Sequence, residues 1–269
     1  MAKVNLTPAL RAEYEALFNS CVIRPERATA VEKLVDALMA NQARYQAVAA
    51  AMGVPWHFIA VTHNMESSQS FKGHLHNGDP LTARTVQVPA GRPKAGAPPF
   101  TWEESAQDAL ALKGLGAGTD WSLASTLYEA ERYNGFGYRL FHPHVKSPYL
   151  WSFSEHYSSG KYVADGTWSD TAKSAQCGAA VLLRRMAERK LAGFADQPVP
   201  AANAKPLVVP YSTKKPADPA ALAAAMALQN WLTTHTGIFV KPDGIAGEKT
   251  SDAYKLVTGS FLPGDPRAK

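Results

Sequence analysis

Apolar residues recur at Val31, Leu34, Val35, Leu38 and Met39, the i, i+3, i+4, i+7, i+8 spacing of a core-facing helix stripe. The pattern runs on to Gly53 and predicts one long helix there. Before it, Thr7 and Pro8 pair a capping hydroxyl with proline at the first helical position, which predicts a helix to about Cys21. Pro55 opens a further helix, WHFIAVTHNMESS, apolar along most of its length and carrying Glu66 at its C-terminal end. From Gly73 to Pro99 the periodicity is lost. Glycine and proline multiply, and RTVQV (residues 84–88) alternates polar and apolar like a short strand. The expectation is an irregular β-rich lobe of hairpins. Thr101-Trp-Glu-Glu104 is a capping box that predicts a helix to about Leu115, and Asp120 caps another through Tyr133, stopped by Asn134-Gly135. An aromatic loop from Tyr138 to Trp168 leads to a last long helix from about Asp170 to Leu191.

Residues 192–218 are rich in proline and alanine, the composition of an extended, semi-rigid linker. Residues 219–269 hold an alanine-rich helix around LQNWL and a second around KTSDAYKLV, too little chain to bury a large core alone. The predicted class is therefore mainly α (α+β): a helical domain over 1–191 with a small β lobe, a linker over 192–218, and a small helical module over 219–269.

With 46% hydrophobic and 19% charged residues among 269, the chain can bury a sizeable core. A net charge of +5 suits an anionic partner, such as an acidic bacterial wall. The basic residues are scattered, so no nucleic-acid face is expected. No long apolar run follows Lys3, and neither a secretory leader nor a membrane-inserted span is expected. Cys21 and Cys177 sit in apolar helical contexts without metal spacing and read as buried thiols.

Two carboxylates carry the candidate chemistry. Glu66, at the end of an apolar helix, would be partly desolvated, which raises a carboxyl pKa and suits a general acid. Asp79 follows in HNGDPLT, a turn-like stretch; two carboxylates flanking an acetal is the arrangement of a glycosidase.

On these residues the chain resembles the lysozyme-like superfamily. MESSQSF resembles the E-S-x-F signature that follows the catalytic helix of lytic transglycosylases and related lysozymes. LYEAERYNGFGYR resembles the Y-N-G segment that faces the sugar in those enzymes, and Asp79 with Thr85 resembles the Asp-x5-Thr pair of phage-type lysozymes. The gap from Glu66 to Asp79 is longer than in the phage pattern. The resemblance implies a lysozyme-like catalytic domain cleaving the β-1,4 bond between N-acetylmuramic acid and N-acetylglucosamine. Glu66, Asp79 and Thr85 would be catalytic. Ser67, His76, Tyr133, Asn134 and Gly135 would bind substrate. The partner would be peptidoglycan glycan strands and the place of action the bacterial wall, periplasmic or extracellular, reached by a route left open; a monomer is expected. If Asp79 does not reach the cleft, Glu66 would act alone and give a 1,6-anhydro product, as in lytic transglycosylases. LQNWL with KPDGIAGEKT (241–250) resembles the L-Q-x-x-L, D-G-x-x-G-x-x-T pattern of the small peptidoglycan-binding module.

Two rivals remain. His74-x-His76 and His142-x-His144 place imidazoles at alternate positions, as zinc ligands on a strand would be. SEHYSSGKYVAD (154–165) also resembles the motif of zinc peptidoglycan peptidases, but Gly160 is one position late and the paired downstream glutamate and histidine are missing. The expectation is accordingly no metal and no cofactor. The second rival is a wall-binding protein without turnover.

Overall fold

The computed structural model describes residues 4–164, 166–196, 208–235, 238 and 240–268. The described chain is mainly helical, and none of its helices is long and apolar enough to cross a membrane. Helix α1 (Pro8–Asn19) is capped by Thr7, whose hydroxyl accepts from Leu10 N. The long helix expected over 31–53 is instead two, α2 (Ala28–Ala40) and α3 (Gln42–Met52). Asn41 makes the break: its backbone leaves the helical region and its side chain donates to Ala37 O, competing with the helix ladder. Helix α4 (Trp56–Ser67) is buried without interruption from His57 to Met65. It therefore forms the centre of the domain, packed on α3 and on the helices α6 (Leu123–Asn134) and α9 (Ala179–Glu188).

Between α4 and α5 (Trp102–Leu112) the expected hairpins are absent. Residues 73–99 form turns, with one isolated bridge between Gly73 and Pro80. The alternation in RTVQV does not make a strand because no apolar face is buried: Val86 and Val88 are 79% and 90% exposed. Val86 N and Gln87 N donate to the Asp79 side chain and Arg92 N to Thr85 Oγ1, while others such as Thr85 N and Gly91 N donate to carbonyls of the same loop. The β structure lies later, where β1 (Lys161–Ala164) pairs antiparallel with β2 (Thr167–Ser169), and Tyr162 stands opposite Trp168. Short helices α7 (Gly137–Phe141) and α8 (Pro148–Trp151) precede this hairpin.

The capping box of α5 is formed as expected. For α6 the cap is Ser122, and Asp120 supports it by accepting from Ser122 N; Leu123 N is bound by Asp196, 73 residues away. The helix expected from Asp170 begins only at Ala179. Gly178 explains the delay, since it passes against Leu150, where a Cβ would sit 2.2 Å from the carbonyl oxygen.

The described residues form two separate cores. The first spans Leu10 to Phe194, and the second gathers Val209, Leu228, Leu232, Tyr254 and Leu262 around α10 (Pro219–Thr233) and α11 (Glu248–Thr258). The expected linker is thus narrower than 192–218, because Phe194 belongs to the first core and Val209 to the second; residues 197–207 lie outside the described part. In the C-terminal module the residues that carried the sequence pattern hold one another. Gln229 donates to Asp243 Oδ1 (2.9 Å), Ile245 O (3.0 Å) and Thr250 Oγ1 (3.2 Å), and accepts from Gly244 N (2.8 Å). Gly244 has φ +79° and lies against Leu222, which excludes a side chain there.

The module is docked on the helical domain. Arg185 of α9, fully buried, donates to Thr233 O, to His235 O (2.8 Å) and to Ile238 O (3.2 Å), while pairing with Glu32 (2.7 Å). A buried guanidinium thus satisfies carbonyls at the C-terminal end of α10, where the helix dipole favours a cation.

Candidate functional site

Helix α4 ends where Ser68 and Gln69 adopt left-handed backbone conformations, φ 50° and 63°. Gln69 stabilises the turn by donating to Asn64 Oδ1 (3.0 Å) and Leu34 O (3.3 Å). Gln176, from the segment before α9, donates to Asn64 O (3.0 Å) and Met65 O (2.8 Å), two carbonyls of the last turn. Glu66 is therefore fixed at the backbone from both sides.

Its side chain is recessed but keeps some solvent contact. Tyr149 donates a hydrogen bond to Oε1 at 2.8 Å. Burial pushes the Glu66 carboxyl up to about 7; the Tyr149 hydroxyl and the nearby Lys113 ammonium, which favour the ionised form, offset only part of that rise. Lys113 is held by donating to Tyr133 O at 2.8 Å, in the last turn of α6, with its ammonium 4.6 Å from the Tyr133 ring centroid. Its own pKa is lowered, first by burial, with the Glu66 carboxylate acting in the opposite sense.

A cavity of about 200 Å³ is lined by Met65, near the end of α4, and by Lys161 and Tyr162 of the β1–β2 hairpin. Tyr149, Gln176, Asn134 and Tyr138 complete much of its lining. Rings crowd the hairpin side: Tyr138, Tyr162 and Trp168 meet edge to face, and His142 stacks on Trp168 at 3.4 Å and 7°.

The residues singled out in the sequence divide on this geometry. Asn134 lines the cavity, with Gly135 turning the chain at φ +93°; Glu66 is not one of the lining residues and is joined to the cavity through Tyr149, which lines it and donates to Glu66 Oε1. Tyr133 is buried, does not line the cavity, and donates its hydroxyl to Leu75 O at 2.9 Å, so it presents no free polar group there. Ser67 is half-buried and donates to His63 O (3.4 Å).

Asp79 is buried in the 73–99 loop. Its Oδ2 accepts from Val86 N (2.8 Å), Gln87 N (2.9 Å) and Asn77 Nδ2 (3.2 Å). Burial alone would raise the Asp79 pKa, but these donors outweigh it and hold the carboxyl below its ordinary value. Thr85 is buried too, donating to Pro89 O (2.5 Å) and accepting from Arg92 N (2.9 Å). The two residues set the loop's shape. The loop in turn lies on the end of α4: at Gly78, φ +80°, a Cβ would sit 2.8 Å from Glu66 O. His76 is inside the same unit, its Nε2 2.8 Å from Asp108 Oδ2, and Asp108 also binds Arg92 (2.7 Å).

Both ring nitrogens of His74 are occupied, by Ser105 Oγ and Ala83 O, each at 2.8 Å. His156, from the peptidase-like segment, contacts Leu17 O (2.8 Å); Asp165 of that segment lies outside the described residues. Among the described residues no group of three or more His, Cys, Asp or Glu side chains is gathered as metal ligands. Cys21 and Cys177 are free and buried.

Tyr149, Lys113 and Gln176 were not legible as site residues. They lie 83, 47 and 110 positions from Glu66, in segments read from the sequence as aromatic loop, helix end and, for Gln176, part of the helix expected from Asp170. No protein-family model, curated protein or solved structure matches the chain.

Proposed function

We propose that the chain is a peptidoglycan-degrading glycosidase that cleaves the β-1,4 bond between N-acetylmuramic acid and N-acetylglucosamine, with Glu66 as the general acid. The observation that carries the reading is the Glu66 carboxyl itself. It is recessed behind Tyr149, which lines a polar and aromatic cavity and donates to the carboxyl, and its pKa is raised to about 7, so a large fraction holds a proton near neutral pH. That proton passes to the glycosidic oxygen as the C–O bond breaks and positive charge develops on the sugar ring. The Glu66 carboxylate so formed is stabilised by the Tyr149 hydroxyl and by Lys113. It then takes a proton from the incoming nucleophile and returns to its resting state. Asn134 and the rings of Tyr138 and Tyr162 offer hydrogen bonding and flat faces to the glycan.

The incoming nucleophile is water in a hydrolase and the sugar's own 6-hydroxyl in a lytic transglycosylase. One observation favours the second outcome: Asp79 Oδ2 is held by three N–H donors of its own loop. With Asp79 so engaged, Glu66 serves as acid and then base. Under the hydrolytic reading, Asp79 and Thr85 would position the water or stabilise the charged sugar. The bacterial wall is the corresponding place of action and glycan strands the partner.

Mass spectrometry of muropeptides released from purified sacculi tests the reading. Reducing-end or 1,6-anhydro sugars support it, and Glu66→Gln should lower their release by about 10²–10⁴-fold. Cleavage within the peptide, or no released product, overturns it.

A further inference from the structure

A second cavity, also of about 200 Å³, lies where the turn before α2, the segment after α8 and the segment before α9 meet. Its walls are tied together through the backbone. Arg24 N donates to Phe153 O (3.0 Å) and Gly178 N to Ser152 O (2.9 Å). The Tyr157 hydroxyl accepts from Ser174 N (3.1 Å). Phe153 itself holds φ 78°, a conformation that a non-glycine residue keeps only where its surroundings impose it.

The charges on these walls are unbalanced. Arg24, Arg27 and Lys173 line the cavity, against one carboxylate, Glu26. None of the four makes an ion pair among the described residues. The Arg24 guanidinium is held in place by two carbonyls, Nε donating to Ser154 O (3.1 Å) and Nη2 to Tyr157 O (3.0 Å), which leaves Nη1 unengaged among the described residues. The Arg27 guanidinium lies over the Phe153 ring, 4.7 Å from its centroid. Cations gathered without counter-charge repel one another, and an anion placed among them relieves that repulsion. The exposed Ser158 hydroxyl adds a donor to the same wall. Ser174 lines both this cavity and the one that Tyr149 lines, so the two share a wall.

We propose that this cavity binds a phosphate monoester carried on a saccharide, the phosphate lying among Arg24, Arg27 and Lys173 and the sugar extending past Ser174 toward the first cavity. That the carrier is a sugar rests on the glycosidase reading given above; the phosphate rests on the charges of the cavity. A phosphate monoester brings close to two negative charges and three acceptor oxygens near neutral pH, whereas a carboxylate brings about one charge and two oxygens. Two arginines and a lysine match the former, since guanidinium forks bind phosphate oxygens in pairs. Glycan bearing such a group would be held at a point removed from Glu66, which lowers KM and leaves kcat unchanged.

The test is calorimetry of the full chain with three titrants: N-acetylglucosamine 6-phosphate, N-acetylglucosamine, and N-acetylmuramic acid, which carries a carboxylate instead. The phosphorylated sugar should bind more tightly than the unphosphorylated one by about tenfold or more, the worth of one charged hydrogen bond. Arg27→Gln with Lys173→Gln, both at exposed positions, should remove that advantage, and Lys173→Glu alone should reduce it. Equal affinity for the phosphorylated and unphosphorylated sugars, an advantage that survives the substitutions, or equally tight binding of the carboxylate sugar overturns the proposal. The measurement needs no turnover, and Glu66→Gln should leave it unchanged, so failure of the glycosidase reading and failure of the phosphate site are distinguishable.

Discussion

Replacing Glu66 by Gln tests the electrostatics of the cleft without assuming any reaction. In the unfolded chain this carboxyl titrates at its ordinary value of 4.5; folded, burial raises it to about 7. Between those pH values the folded chain keeps a proton that the unfolded chain has released, so stability falls as pH rises through the window. Above about 7 both states are ionised and the full penalty of holding a recessed carboxylate is present. The whole shift corresponds to about 3 kcal/mol. Because the side chain keeps some contact with solvent, about 2 kcal/mol is the expected cost. For a chain of this size that is roughly 4–8 °C in Tm. Glutamine has nearly the same shape, accepts the Tyr149 hydrogen bond and does not titrate. Wild type and Glu66→Gln should therefore melt together near pH 4 and separate progressively, the variant being more stable by that amount at pH 8. Calorimetric or circular-dichroism melts across this range measure the difference directly. A Tm difference that stays constant from pH 4 to pH 8 would refute the desolvation of Glu66.

Tyr149→Phe removes the hydrogen bond that favours the Glu66 carboxylate, so the Glu66 pKa should rise further. The alkaline limb of the kcat/KM profile should then move to higher pH, and an unmoved limb would detach Tyr149 from the acid. Asp79→Asn weakens three N–H contacts and should cost about 1–3 kcal/mol in urea melts while leaving the product type unchanged. A variant of normal stability with a different product, read by mass spectrometry, would instead give Asp79 a chemical role. Arg185→Ala leaves the carbonyls at the end of α10 without this donor, while Glu32 keeps Arg189 at 3.0 Å, and a loss of about 1–3 kcal/mol with protease-sensitive module residues is expected. Unchanged protease resistance would mean that the docking does not depend on this arginine.

Periodicity and capping carried much of the helical framework. The Thr7-Pro8 start, the Thr101–Glu104 capping box, the Pro55 restart and the Gly135 stop are local instructions, each decided by residues within one turn of helix. Glu66 was legible for the same reason, since an ionisable residue at the end of an otherwise apolar helix is visible without knowing what packs on it. The second set of local signals, Gln229 with Asp243, Gly244 and Thr250, was legible as a pattern, although its physical content is an internal hydrogen-bond network.

Other features depended on contacts that sequence spacing does not encode. The alternation in RTVQV reads as a strand, but a strand needs a partner and a buried face, and Val86 and Val88 have neither role. Asp79 reads equally well as a catalyst or a turn residue until the donors around it are seen. The break at Asn41 and the late start of α9 at Ala179 are settled by a side chain bonding its own helix and by the close passage of Gly178 against Leu150. The sequence alone determined where an acid would stand at a helix end. Tertiary structure decided its surroundings, because the Tyr149 hydroxyl, the Lys113 ammonium and the Gln176 amide reach Glu66 and its helix end across separations of 47 to 110 residues, and a pKa is set by neighbours in space.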